Sequence, residues 1–324
     1  MGGLVWLRRT AYQWGLLRDQ SPGLPVLVVG NRVVGGAGKT PTTVAIVQYL
    51  QRQGWTPGVL SRGYKQASSA AALTLIDHTT AANLSAAEVG DEPLLIWRRT
   101  QAPVMVGRDR VAGGVELRKH HPKVDILVCD DGLQHLRLKR QIEVVVFDER
   151  GAGNGWLLPA GPLRESIHAP APSSLVAPPI VIYNASKASS VVPGYLGHRQ
   201  LAPWKTLEQW WGNEPADPTA QPPQQGCWAI AGIAHPPKFF TQLQSLGWSI
   251  HPVACADHDP YTTLPWPPGI THVILTEKDA IKLSLDRVHR ERPGTQVWVA
   301  ALDFSPEPGF WQTLEHALKQ LTPT

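Results

Sequence analysis

Gly30-Asn31-Arg32-Val33-Val34-Gly35-Gly36-Ala37-Gly38-Lys39-Thr40-Pro41 follows directly on the apolar run Pro25 to Val29. A strand, then closely spaced glycines, then Lys-Thr opening a helix is the arrangement that cradles phosphate. Backbone N–H groups close around the anion, and the positive end of the helix faces it. In such a loop Gly35, Gly36, Ala37, Gly38 and Pro41 shape the turn, Lys39 reaches the outer phosphates, and Thr40 offers a hydroxyl to Mg²⁺. The strict GxxxxGK[ST] pattern is not met, because Val33 stands where its first glycine belongs. GGAGKT is closer to the compact loop of partitioning-type ATPases, which carry a lysine before the glycine pair where this chain has Val34.

Outward from the loop, short β-branched runs alternate with helical stretches: Val26 to Val29, Pro57 to Leu60, Val104 to Val106, Ile126 to Cys129 and Val144 to Phe147. That alternation predicts an α/β fold of the P-loop NTPase type, a parallel sheet with helices on both faces. Lys65 to Ser85, rich in Ala, Ser and Thr, reads as a loop. The texture changes after Pro162, and a domain boundary is expected near residue 180. Residues 23–180 then form the core domain and 181–324 a smaller α/β domain with runs at Cys227 to Ala231, His272 to Leu275 and Val297 to Ala301. Whether the last helix, around Leu314 to Leu321, packs back on the core is left open by the sequence. Gly212 to Gly226, dense in Pro and Gln, reads as an exposed loop.

The chain of 324 residues is long enough for two cores. At 43% hydrophobic and 17% charged it has the composition of a folded globular protein. Thirty basic residues against 26 acids, a net charge of +4, suit an anionic substrate or membrane surface and are too weak a bias to argue for nucleic acid. The three cysteines, Cys129, Cys227 and Cys255, have no CxxC spacing, which argues against a zinc site or a disulfide framework and for a reducing, cytoplasmic setting. No apolar run is long enough to span a bilayer. Residues 1–22 nevertheless read as an amphipathic helix: Leu4, Leu7, Ala11 and Trp14 share a face, and Arg8, Arg9 and Arg18 supply charge. Such a helix either lies in a membrane interface or packs on its own domain.

The chemistry-bearing positions come in short polar islands. Asp130 and Asp131 end an apolar strand, placed to hold Mg²⁺ directly or through water. Asp91 in Val89-Gly90-Asp91-Glu92-Pro93 is a candidate base, and Arg108, Arg110 and Arg164 are candidate counter-charges. Asp257-His258-Asp259 offers an imidazole between acids.

Taken together and in order, GNRVVGGAGKTP (30–41), SRGY (61–64), VGDEP (89–93), VGRDR (106–110), DDGLQH (130–135), GNGWLLPAGPLRE (153–165), AGIAHPPKFF (231–240) and TEKDAIK (276–282) resemble the tetraacyldisaccharide 4′-kinase family over most of the chain. The resemblance implies transfer of the γ-phosphate of ATP to the 4′-hydroxyl of a tetraacyldisaccharide 1-phosphate lipid at the cytoplasmic face of the inner membrane. The protein would be a peripheral monomer, with the N-terminal helix resting on the bilayer and its arginines favouring anionic headgroups. It further implies Lys39 and Thr40 at phosphate and Mg²⁺, with Asp130, Asp131 and Glu165 as metal-binding candidates. Asp91 would be the base paired with His258, Arg164 would balance the transferring charge, and Arg62, Arg108 and Arg110 would contact substrate phosphate. The family often shows Asp-His-His at the third island, whereas Asp259 follows His258 here; if the pairing histidine is the first, nothing is lost. Since His258 falls in the expected smaller domain and Asp91 in the larger, closure of the domains over ATP is expected to assemble the pair. The alternatives are a partitioning-type ATPase without a lipid acceptor and a nucleotide-binding scaffold docked on the membrane.

Overall fold

The computed structural model describes residues 8–12, 14, 16–63 and 73–321. Its contacts divide the chain into two compact units. One holds the described residues up to 84 together with 96–199 and those from 304 on; the other holds 85–95 and 200–303.

The first unit is built on β1 (Val26–Gly30), β2 (Pro57–Ser61), β3 (Thr74–Ile76), β4 (Val104–Val106), β5 (Ile126–Asp130), β6 (Ile142–Asp148), β7 (Ile180–Asn184) and β8 (Tyr195–Leu201). With the late strand Leu302–Pro306 they form a nine-stranded sheet in which β1 lies between β6 and β5. β1 runs parallel to both neighbours, and the β2–β4, β2–β5, β6–β7 and β7–β8 pairs are parallel as well. Each residue of β1, β2, β5, β6 and β7 is buried, as strands covered on both faces by helices require, and this is why they read as unbroken apolar runs. The chain winds away from β1 in both directions, so the crevice at its carboxyl end is the place where an open α/β sheet binds ligands.

Three strands here do not follow from the sequence, the late strand Leu302–Pro306 among them. β3 lies in the segment read as a loop, at the sheet edge and antiparallel to β4. It is three residues long, too short for a periodicity to register. β8 has three consecutive exposed residues, His198 to Gln200, instead of forming an apolar run. Residue 180 opens β7 inside this sheet, so the chain leaves the first unit at 199 and not near 180. The final helix, Pro308–Lys319, belongs to this unit: Trp311 stacks on Tyr49 at 4.4 Å between ring centroids, and Thr313 meets the Tyr195 hydroxyl at 2.6 Å.

The second unit has a five-stranded sheet. Gln225–Ala231, Ser249–Ala254, His272–Thr276 and Gln296–Ala300 are parallel, and the two-residue strand Lys205–Thr206 is antiparallel at one edge. Cys227, Ala229, Phe239, Leu243, Ile274 and Trp298 build its separate core. Residues 85–95 join this unit although the chain on either side of them belongs to the first.

Candidate functional site

The crevice at the carboxyl end of β1 holds the phosphate loop. The helix Lys39–Arg52 follows it, with no acidic residue in its first turn and no side chain capping its N-terminal N–H groups, which leaves that end suited to an anion. Gly38 is its N-cap, at φ 85° and ψ 29°, left-handed backbone that glycine adopts freely. A Cβ at Gly38 would overlap the amide of Asn184 and the guanidinium of Arg199, so this turn needs glycine for space as well. Asn184, at the end of β7, donates to the Ala37 carbonyl at 3.1 Å and pins the loop from beside it. Asn184 and Arg199 are site neighbours that no motif announced; only the sheet order brings their strands to the loop.

β5 delivers the carboxylates. Val29 is in register with Asp130, so the acid is level with the start of the loop. Asp130 is buried and accepts from the Thr43 hydroxyl at 2.6 Å. Asp131 turns out of the strand at φ 49°, half-exposed, and its carboxylate lies 3.6 Å from Lys39 Nζ and 3.4 Å from Arg164 Nη1. Lys39, Thr40, Asp130, Asp131 and Arg164 thus belong to one neighbourhood of the first unit. Thr40, Asp130 and Asp131 offer hydroxyl and carboxylate oxygens, the hard ligands Mg²⁺ takes alongside substrate phosphates.

Two expected members have other settings. Glu165 is buried against Arg9, which donates to it, with Arg32 Nε at 3.9 Å and the Gln134 amide donating at 3.3 Å. A carboxylate already facing two guanidinium groups is neutralised where it stands, and among the described residues no group of three or more His, Cys, Asp and Glu is placed to hold a metal ion. Asp130 and Asp131 instead face Thr43, Lys39 and Arg164. Arg9, expected to face headgroups, is buried in that pair instead, while Arg8 and Arg18 are exposed. Arg110, expected at substrate phosphate, is buried, and its guanidinium donates to the Gly107 carbonyl. Arg62 and Arg108 are exposed, each just beyond the carboxyl end of a parallel strand.

Asp91 and His258 both lie in the second unit. Ser85 and Glu88 form a capping box on the turn Ala86–Val89, Gly90 ends it at φ 93°, and Asp91 opens the helix Asp91–Thr100. His258 sits in the turn after strand Ser249–Ala254 at φ 59°, and its Nδ1 lies 3.0 and 2.9 Å from the two Asp91 carboxylate oxygens. Asp259 accepts from the Tyr261 N–H at 2.8 Å. It is a turn residue, and His258, at the first histidine position of the family's Asp-His-His, does the pairing. The pair forms inside one compact unit, so the expectation that it needs domain closure is not met. Burial by itself would raise the Asp91 carboxyl; the His258 hydrogen bond and the charges of Lys278 and Lys282 outweigh it and hold Asp91 below the ordinary aspartate value.

The sequence motif TEKDAIK places Lys278 here without revealing its purpose. Its Nζ lies 3.3 Å from Glu92, 3.4 Å from Asp257 and 3.8 Å from Asp91. Burial would lower this ammonium, but Glu92, Asp91 and Asp257 raise it above the ordinary lysine value. It is a cation throughout the physiological range.

The LpxK family model, tetraacyldisaccharide-1-P 4′-kinase, matches residues 1–319. The chain belongs to this family. It is 50% identical over 324 residues to a tetraacyldisaccharide 4′-kinase of Methylibium petroleiphilum, covering 99% of this chain and 88% of the relative. To the one of Leptothrix cholodnii it is 52% identical over 327 residues, covering 100% and 90%. Its fold is that of an LpxK from Aquifex aeolicus whose crystal structure was determined in complex with ATP, with a TM-score of 0.78 at 22% identity over 98% of this chain and 95% of that one.

Proposed function

We propose that this family member transfers the γ-phosphate of ATP to the 4′-hydroxyl of tetraacyldisaccharide 1-phosphate. The observation that carries the reading is the buried Asp91 carboxylate, held ionised by His258 and Lys278, which suits a general base for a hydroxyl acceptor. Asp91 takes the hydroxyl proton, the freed oxygen attacks the γ-phosphorus, and the bond to the ADP oxygen breaks. Lys39 and the N–H groups at the start of its helix hold the phosphates, and Arg164 balances the charge as it shifts. Thr40, Asp130 and Asp131 are the residues that would hold Mg²⁺, which supplies charge neutralisation at the phosphates when bound. Arg62 and Arg108 are the cations offered to the lipid's phosphate.

The acceptor is a lipid, and the N-terminal region supports delivery from a membrane surface. Trp14, Leu16 and Leu17 are exposed at 75, 73 and 45% beside exposed Arg8 and Arg18, a mixture suited to an anionic interface. Among the described residues no helix is long and apolar enough to cross a membrane. We place the enzyme peripherally at the cytoplasmic face of the inner membrane, acting as a monomer. A partitioning-type ATPase has no use for a base set to receive a sugar proton, and family membership does not favour it.

The test is incubation of purified protein with Mg-ATP and a tetraacyldisaccharide 1-phosphate in detergent, following phosphate on the lipid, with Asp91→Ala alongside. Transfer that collapses in the variant supports the reading. ATP hydrolysis without lipid phosphorylation overturns it.

A further inference from the structure

We infer that Lys278 is a positioning residue that fixes which nitrogen of His258 carries hydrogen, and so aims the His258 Nδ1–H at the base Asp91. The inference rests on the reading of Asp91 as the base. Lys278 is the second residue of the short helix Glu277–Ala280, which follows strand His272–Thr276 and is started by the Thr276 hydroxyl accepting from the Asp279 N–H at 3.3 Å. Asp279 is fully buried, and it accepts from Gly232 N–H at 3.1 Å, from the Thr276 hydroxyl at 2.6 Å and from Lys282 Nζ at 3.1 Å. The backbone beneath Lys278 is therefore held from several sides, and its side chain is only 19% exposed.

An ammonium has three hydrogens and no lone pair. Within hydrogen-bond reach of Lys278 Nζ stand Glu92 Oε1 at 3.3 Å, Asp257 Oδ1 at 3.4 Å and His258 Nε2 at 3.5 Å. Toward the imidazole Lys278 can only donate, so Nε2 must accept. A neutral imidazole that accepts at Nε2 carries its hydrogen on Nδ1, and Nδ1 is the atom against Asp91. Asp257 Oδ2 lies 3.7 Å from the same Nε2 and would draw a hydrogen onto it; Lys278, paired with the other oxygen of that carboxylate, opposes this. The charged and titratable groups around the pair are Asp91 and Glu92 on one helix, Asp257 and His258 on the turn, and Lys278 and Lys282 beyond. Without Lys278, Asp257 would face Nε2 unopposed and draw the hydrogen onto it, leaving Nδ1 with a lone pair toward Asp91.

The experiment is ¹⁵N NMR of the His258 ring in the full-length protein, beside the pH profile of lipid phosphorylation, for wild type, Lys278→Met and Lys278→Arg. Wild type is expected to show hydrogen on Nδ1 and none on Nε2 at neutral pH. In Lys278→Met, Nε2 gains hydrogen and the acidic limb of kcat/KM moves to higher pH, because Asp91 loses a cation and must be ionised to work. KM for ATP stays unchanged, and Lys278→Arg restores most of the wild-type profile. A loss of rate equal at every pH with an unchanged ring signature overturns the inference and leaves Lys278 a structural residue. Hydrogen on wild-type Nε2 overturns it even if Lys278→Met does not fold. The ring signature is read without lipid or ATP, so failure of the lipid-kinase reading is seen separately, as absent phosphorylation with the expected ring state.

Discussion

The phosphate loop and the Asp91–His258 pair are both preorganised, but one is written in twelve consecutive residues and the other joins positions 167 apart in the chain. The loop works through backbone: the left-handed Gly38, the uncapped helix start and the Asn184 amide set its shape, and its ion pair from Lys39 to Asp131 is loose at 3.6 Å. Partial exposure leaves Asp131 able to exchange partners when a nucleotide arrives. The pair in the second unit works through a buried carboxylate and a half-buried imidazole at 2.9 to 3.0 Å, with a lysine closing the network. A region that must admit a highly charged ligand keeps its charges movable, whereas one that must hold a base ionised surrounds it before substrate comes.

That difference can be broken at either end. Asp91→Asn keeps the shape and removes the base, and lipid phosphorylation is expected to fall by about 10²–10⁴-fold. Nucleotide affinity, read by calorimetry, stays near wild type. If affinity falls with rate, the two regions are not separable. Gly38→Ala attacks the loop: strain from the left-handed backbone and overlap with Asn184 should cost on the order of 1–3 kcal/mol in thermal unfolding and weaken ATP binding sharply. Its ring signature at His258 should be unchanged, because nothing in the second unit is touched.

A pH series sharpens the contrast in stability. The Asp91 carboxyl is depressed in the fold, so the stability it contributes is present above the unfolded aspartate value of about 3.9 and lost as pH falls through the folded value. The gap in melting temperature between wild type and Asp91→Asn should therefore be constant near neutrality and shrink in that acidic window. A gap that widens toward acid would mean that Asp91 is buried neutral. The smallest effect separates two neighbouring arginines. Arg108→Ala should leave stability within about 0.5 kcal/mol and raise KM for the lipid. Arg110→Met removes the donor to the buried Gly107 carbonyl and should cost roughly 1–3 kcal/mol in unfolding.

The central strands and the phosphate loop were legible because their causes are local. Strands covered on both faces must be apolar throughout, and a loop that wraps phosphate must place glycines and a lysine at short spacing. The edge strand β3 and the half-exposed β8 left no such trace. Asp91 and His258 could be named as residues from the family motifs, but their separation in sequence suggested that they stood in different domains. Residues 85–95 fold with the second unit, which no composition shift announces.

By itself, then, the amino-acid sequence determined the sheet core, the anion-binding loop, the family and the two residues, Asp91 and His258, that pair in the fold, since each depends on neighbours a few residues away or on a diagnostic run. The tertiary structure alone decided that Glu165 meets Arg9 and Arg32, that Arg110 is buried while Arg108 is not, and that Lys278 completes the pocket of Asp91. Charge pairing and burial depend on which strand ends lie side by side, and sheet order, not sequence spacing, sets that.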